Sequence, residues 1–284
     1  MNIKGLFLLL SLIICIPELF AQTYIISGEK CRIHSELLNE DREYWISLPK
    51  EYNEDAGKDR TYPVIYLLDA EKNFQILLGV QQTLVRGFHD ETSPSIIVGI
   101  TNTDRPRDMT PSFSAEKHHG RDIFQTSGKS ENFTAFLLKE LKPRIESTYR
   151  TNKQSTIIGH SLTALFVVNT LIHHTDAFDN YVALDPSLWW DQFKVYKEAR
   201  ELLKHKDLRN KKVFIGSSRE DKEGDAKNRT YTIRDFCKTV LPETRSSGLV
   251  YDWKYYEDEG HGSMILPGMF DAFKFLYKDS TAHK

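Results

Sequence analysis

Ser161 stands in the stretch Ser155-Thr156-Ile157-Ile158-Gly159-His160-Ser161-Leu162-Thr163-Ala164-Leu165. A serine hydroxyl is a poor nucleophile until a base removes its proton. It becomes useful where a strand turns sharply into a helix, which exposes the hydroxyl and leaves helix amides beside it. The β-branched run before Gly159 reads as that strand. Leu162, Leu165, Phe166, Val168, Leu171 and Ile172 follow at helical spacing. Gly159 supplies the small residue that such a crowded turn needs. Two positions after the serine, Thr163 replaces the usual glycine, so the pattern is G-x-S-x-T.

The other parts of an acyl-transfer site have candidates too. His261, in Gly260-His261-Gly262, can act as a base near neutral pH. A carboxylate is needed to orient its imidazole. Glu220 is favoured, in the acidic loop Ser217-Ser218-Arg219-Glu220-Asp221, followed by Asp221 and then by Asp185. A tetrahedral oxyanion needs backbone donors. The Leu162 amide is one candidate, and the turn Asp69-Ala70-Glu71 supplies the other through Ala70.

These residues require a frame. Lys30–Leu38 and Arg42–Leu48 alternate and read as an antiparallel hairpin at a sheet edge. Tyr62–Asp69, Ser95–Ile100, the run before Gly159, Tyr181–Asp185 and Lys211–Gly216 are short apolar runs of buried parallel strands. Leu249–Tyr256 is the last strand, and helical patterns separate the strands from Phe74 onwards. The economical arrangement is a mostly parallel, doubly wound α/β sheet with an N-terminal antiparallel hairpin. Ser161, Glu220 and His261 each follow a strand, which places them at one edge in the order serine, acid, histidine. Asn132–Tyr149 is amphipathic, with a kink or break expected at Pro143.

Ligand sites in such sheets lie beyond the carboxyl ends of strands. The segment Asn102–Pro111 follows one. Arg105 and Arg107 flank Pro106 there and either contact substrate or pair internally with Asp104 and Asp108. Trp189 and Trp190 either belong to the core or line a pocket beside the serine. His118-His119 does not make a metal pair, because adjacent side chains diverge. No metal or organic cofactor is expected.

The chain has 284 residues. Residues 1–21 read as a signal peptide, with a small positive region, an apolar run and a small residue at Ala21. The run is short for a bilayer span, which takes about 20 residues. Residues 22–284 are then one domain, exported to the periplasm or the medium, with no stable membrane insertion. Lys+Arg 38 against Asp+Glu 40 argues against a nucleic-acid-binding surface. Cys15 leaves with the signal peptide. Cys31 and Cys237 remain, and their spacing leaves both a disulfide and free thiols open.

The Tyr62–Asp69 run, the Asn102–Pro111 segment, Gly159-His160-Ser161-Leu162, Pro186-Ser187-Leu188-Trp189-Trp190 and Gly260-His261-Gly262 together resemble the putative-esterase family of α/β-hydrolases. That group includes esterase D, enterobactin-type siderophore esterases and feruloyl or acetyl-xylan esterases. The resemblance covers about Glu40 to Tyr277. It implies the α/β-hydrolase fold, Ser161 as nucleophile, His261 as base and an acid after the seventh strand, best matched by Glu220. Two departures stand out. Thr163-Ala164 replaces the family's Gly-Gly, and Asp185 stands where serine is common. The implied activity is an exported serine esterase working through an acyl-enzyme. Its substrate would be an acyl or feruloyl decoration of polysaccharide, or a siderophore ester. The alternatives are a catalytically silent binding scaffold and an acyltransferase, since alcohols attack the same acyl-enzyme as water does.

Overall fold

In a computed structural model of the chain, residues 27–85, 92–115, 120, 122–219 and 233–277 are described. The expected signal peptide, His118-His119, Glu220 and Asp221 lie outside them. The described residues form one eight-stranded sheet in the order β1-β2-β4-β3-β5-β6-β7-β8.

The strands are β1 (Glu29–Ser35), β2 (Glu40–Ser47), β3 (Tyr62–Leu68), β4 (Ile96–Ile100), β5 (Thr151–His160), β6 (Asn180–Leu184), β7 (Lys212–Ser218) and β8 (Val250–Tyr256). β2 runs antiparallel to both β1 and β4, and from β4 onwards neighbours are parallel. The expected hairpin is therefore present. Its alternation appears as Arg42, Tyr44 and Ile46 buried, with partly exposed residues between them. β3 and β4 are buried at every position, because helices cover both faces of the parallel part.

Those helices are α1 (Ala70–Val85), α2 (Arg105–Met109), α3 (Ser130–Phe136), α4 (Lys142–Thr148), α5 (Leu162–His173), α6 (Trp190–Leu202) and α7 (Ile265–Tyr277). One apolar layer, including Phe133, Phe136, Phe166, Phe178 and Trp190, fills one side of the sheet. Phe74, Leu77, Phe214, Met269 and Phe273 fill the other, under α1 and α7. α5 lies almost wholly inside, with Leu162 to Ile172 all buried. That explains why its pattern is apolar all round rather than amphipathic.

Two segments take local forms that their sequence patterns did not specify. Pro143 does not break the helix around it. A π-helical turn, Leu137–Leu141, joins α3 directly to α4, so Pro143 falls in the first turn of α4, where no amide donor is needed. The Asn102–Pro111 segment is also more than a loop. Asp104 caps α2 by accepting the Arg107 amide at 3.1 Å, and Pro106 sits in its first turn. Near its start α6 contains three residues with positive φ, Asp191, Gln192 and Phe193. Cys31 and Cys237 are both free thiols, with Cys237 buried.

Candidate active site

Three strand ends on the same edge of the sheet carry a non-glycine residue of positive φ. They are Asp69 after β3 (55°), Ser161 after β5 (64°) and Asp185 after β6 (49°). Each directly follows the last residue of its strand. Such conformations cost of order 1–3 kcal/mol and persist where the surroundings enforce them.

For Ser161 the enforcement is visible. Its amide donates to the Leu184 carbonyl (3.0 Å), and its own carbonyl accepts from Leu165 (3.0 Å) and Ser187 (3.2 Å). Gly159 is obligatory, since a Cβ there would lie 2.3 Å from the Thr163 carbonyl oxygen. The Ser161 hydroxyl lies 3.4 Å from Ser187 Oγ, a long contact from which it can rotate. Leu162 begins α5 and Ala70 begins α1. First-turn amides of a helix have no partner inside it, so both are suited to receive an oxyanion.

Thr163 is not an idle departure from glycine. Its fully buried hydroxyl accepts the His160 amide at 2.7 Å. Its proton is shared between the His160 carbonyl (2.8 Å) and Asp69 Oδ2 (3.0 Å). Asp69 also accepts Arg105 Nε and Nη2, both at 2.8 Å, and Asn102 Nδ2 at 2.8 Å. Burial alone would raise the Asp69 pKa. The Arg105 guanidinium, with Asn102 and Thr163, outweighs it and holds the carboxyl below its usual range. The turn after β3 and the turn that carries Ser161 are thus one buried polar assembly.

His261 follows β8. Its Nδ1 lies 2.5 Å from Asp185 Oδ2. Asp185 is buried and also accepts the Ser218 amide (3.0 Å) and the Ser218 hydroxyl (2.6 Å) from the end of β7. Burial pushes its pKa up, but the bonds from His261 and Ser218 win and hold it below the ordinary carboxylate value. Asp185 is therefore a carboxylate, and His261 donates to it. The neighbouring strand β7 contributes Ser218, which orients that carboxylate. The sequence reading placed Asp185 behind Glu220 and Asp221, both of which lie outside the described residues. Asp185 shares with Ser161 the position one residue after a buried strand.

The expected substrate contacts are distributed differently. Arg105 spends two nitrogens on Asp69, and Nη2 also reaches the His160 carbonyl at 3.1 Å. Arg107 donates to Glu40 (2.6 and 2.9 Å) and to Asp108 (2.7 and 3.1 Å). Arg42, itself 1% exposed, donates to the same Glu40 and Asp108 at 2.9 and 2.7 Å. This four-charge cluster fixes α2 to β2. Trp190 is completely buried, with its indole nitrogen on the Ser112 carbonyl and Phe124 edge-on at 4.8 Å. It is closed to any substrate. Trp189 is only partly buried and lies two residues along the chain from Ser187, whose hydroxyl faces that of Ser161. Among the described residues, no cluster of three metal-ligating side chains occurs, and no helix is long and apolar enough to cross a membrane.

Comparison with known proteins identifies the family and the fold. The model of the family described as "Putative esterase" matches residues 35–254. The chain is 29% identical over 280 residues to the ferri-bacillibactin esterase BesA of Bacillus subtilis (strain 168), covering 93% of this chain and 94% of that protein. It is 25% identical over 268 residues to the siderophore enterobactin esterase of Emericella nidulans, covering 81% and 88%. Among solved structures, an IroE-like serine hydrolase from Shewanella oneidensis superposes with a TM-score of 0.78 at 32% identity, covering 89% of this chain and 80% of that one. Fold and sequence thus converge: the chain belongs to the putative-esterase family and is a carboxylic ester hydrolase of the α/β-hydrolase fold.

Proposed function

We propose that this protein is an exported serine esterase that opens a siderophore ester through an acyl-enzyme. Ser161 is the nucleophile, His261 the base and Asp185 the acid. The observation that carries this reading is the short bond between His261 Nδ1 and the buried Asp185 carboxylate. In the first step Ser161 rotates away from Ser187 and passes its proton to His261 Nε2 as its oxygen attacks the ester carbonyl. Asp185 stabilises the imidazolium. The amides of Leu162 and Ala70 receive the oxyanion. Collapse expels the alcohol, which takes the proton from His261. Water then repeats the sequence and frees the acid and Ser161.

The substrate class is supported by the names of the two curated relatives, ferri-bacillibactin esterase and siderophore enterobactin esterase. Trp189, two residues along from Ser187, would supply apolar surface for the bulky part of such an ester. Export is supported by the composition of residues 1–21. The test is a hydrolysis panel of short acyl, feruloyl and siderophore esters, run with Ser161→Ala and with fluorophosphonate labelling. Preferred turnover of the siderophore ester, lost together with labelling in Ser161→Ala, is expected. Equal or better turnover of feruloyl esters would reassign the substrate, and labelling at another residue would reassign the nucleophile.

A further inference from the structure

The loop that carries His261 lacks steric constraint. His261 lies between Gly260 and Gly262. A Cβ added at Gly262 would meet nothing within 4 Å, and one at Gly260 would meet only Ser263 Oγ at 4.0 Å. Glycine-flanked backbone has the largest conformational freedom. Yet a base must be held within a fraction of an ångström of its working position. Asp185 fixes the ring of His261. Within the turn the Gly260 amide donates to Ser263 Oγ, and the Met264 and Ile265 amides donate to the Gly260 and Gly262 carbonyls, which shapes the loop. None of these bonds ties the His261 main chain itself to the sheet.

A second tie does. His160 Nε2 lies 2.7 Å from the His261 carbonyl oxygen. A carbonyl only accepts, so His160 is the Nε2–H tautomer. The two imidazoles also lie against each other, with centroids 4.4 Å apart and planes inclined at 42°. His160 is itself immobile. It ends β5, is 9% exposed, and its amide and carbonyl are held by Thr163 and Arg105.

We propose that His160 is a positioning residue for the catalytic base, clamping the main chain of His261 to the strand that carries the nucleophile. This rests on the reading of Ser161 and His261 as catalytic partners, and adds a function for the residue between Gly159 and Ser161. The same geometry requires His160 to stay neutral while His261 cycles through its cation, since two imidazolium rings in contact repel. Burial, and then the neighbouring His261, push the His160 pKa down to about 4, which meets that requirement. Asp185, Asp69 and Arg105 are the charged groups facing the pair from the other strand ends and α2.

The test compares His160→Phe, which keeps a ring but removes the donor, with His160→Gln, whose amide nitrogen reaches the Nε2 position. Measured on the full protein are kcat and KM for p-nitrophenyl acetate and the rate of fluorophosphonate labelling at Ser161. His160→Phe should lose roughly 10- to 100-fold in kcat and labelling rate with KM within about twofold, as small displacements of a catalytic group do. His160→Gln should recover most of the loss. A merely structural histidine predicts lower thermal stability with unchanged kcat per folded molecule, or equal losses in both variants. Either result overturns the proposal. Should neither variant fold, long-range 1H–15N correlation on the wild-type protein decides. A His160 ring protonated at Nδ1, or titrating between about pH 5 and 8 around the ordinary histidine value, refutes the clamp. Wild-type protein that never labels at Ser161 refutes the esterase mechanism and the clamp with it. Normal wild-type labelling with an unaffected His160→Phe refutes the clamp alone.

Discussion

His261 and Asp185 meet at 2.5 Å across a sheet edge, from the ends of β8 and β6, with β7 between them. The intervening strand supplies Ser218, whose amide and hydroxyl both point at the Asp185 carboxylate. An acid held by three donors stays ionised while its partner takes up a proton. Asp185→Asn should therefore lower kcat by at least 100-fold with little change in KM, because an amide does not stabilise the imidazolium and can select the wrong tautomer. Ser218→Ala should cost far less, on the order of tenfold, since one charged bond remains. Steady-state kinetics at equal folded fraction checks both. A mild Asp185→Asn would move the acid elsewhere.

Thr163 makes a second prediction. Replacing it with valine keeps the volume and removes the hydroxyl. The buried His160 amide then loses its acceptor, at about 1–3 kcal/mol. Thr163→Val should melt several degrees lower and label more slowly, whereas Thr163→Ser should behave like the wild type. Equal melting temperatures for valine and serine would show that the hydroxyl is dispensable.

The internal ion pairs of Arg107 support a role as a structural pin. Its guanidinium completes the cluster with Glu40, Asp108 and the buried Arg42. Breaking a buried ion network strands its partners, typically at about 3–5 kcal/mol, less here because Arg107 keeps some exposure. Arg107→Ala should lower the melting temperature and reduce kcat/KM on a small acetate ester and on the bulky natural ester in parallel. A selective loss on the bulky ester with unchanged stability would restore a substrate contact.

Stability should fall on mild acidification. The folded His160 pKa is depressed to about 4 from 6.5. In that window the unfolded chain binds a proton that the folded one excludes, so the contribution is full above pH 6.5 and is lost as pH drops through about 4. At 1.36 kcal/mol per pH unit this is about 3 kcal/mol. Urea unfolding between pH 7 and 4 should show that slope, and His160→Gln should remove it. An unchanged slope in the variant would assign the effect to other groups.

Much of this was legible in the sequence, and the reasons differ by residue. β3 and β4 announced themselves because a strand buried on both faces is a continuous apolar run. Ser161 was readable because strand, glycine and helix leave a local pattern. The partner of Arg42 was not, since Asp108 lies 66 residues away and only the fold brings them together. Trp190 gave no sign of its full burial, because it sits at an irregular junction where neither strand nor helix periodicity applies. The contact between Asp185 and His261 was not legible either, since a single aspartate after a buried run is far less conspicuous than the charged loop after β7, and 76 residues separate the pair.

The left-handed turns at the strand ends also narrow what mutation can explore. Asp69 and Asp185 occupy conformations that aspartate and asparagine tolerate better than most residues. At Asp185 the two requirements, a negative charge and a tolerated backbone, leave few one-step neighbours. Asparagine satisfies the backbone and loses the charge. Glutamate keeps the charge, but carries a longer side chain into a fit closed by Ser218 and His261. A lineage that moves its acid to another strand must therefore acquire the new carboxylate before it abandons the old one, passing through an ancestor that carried both.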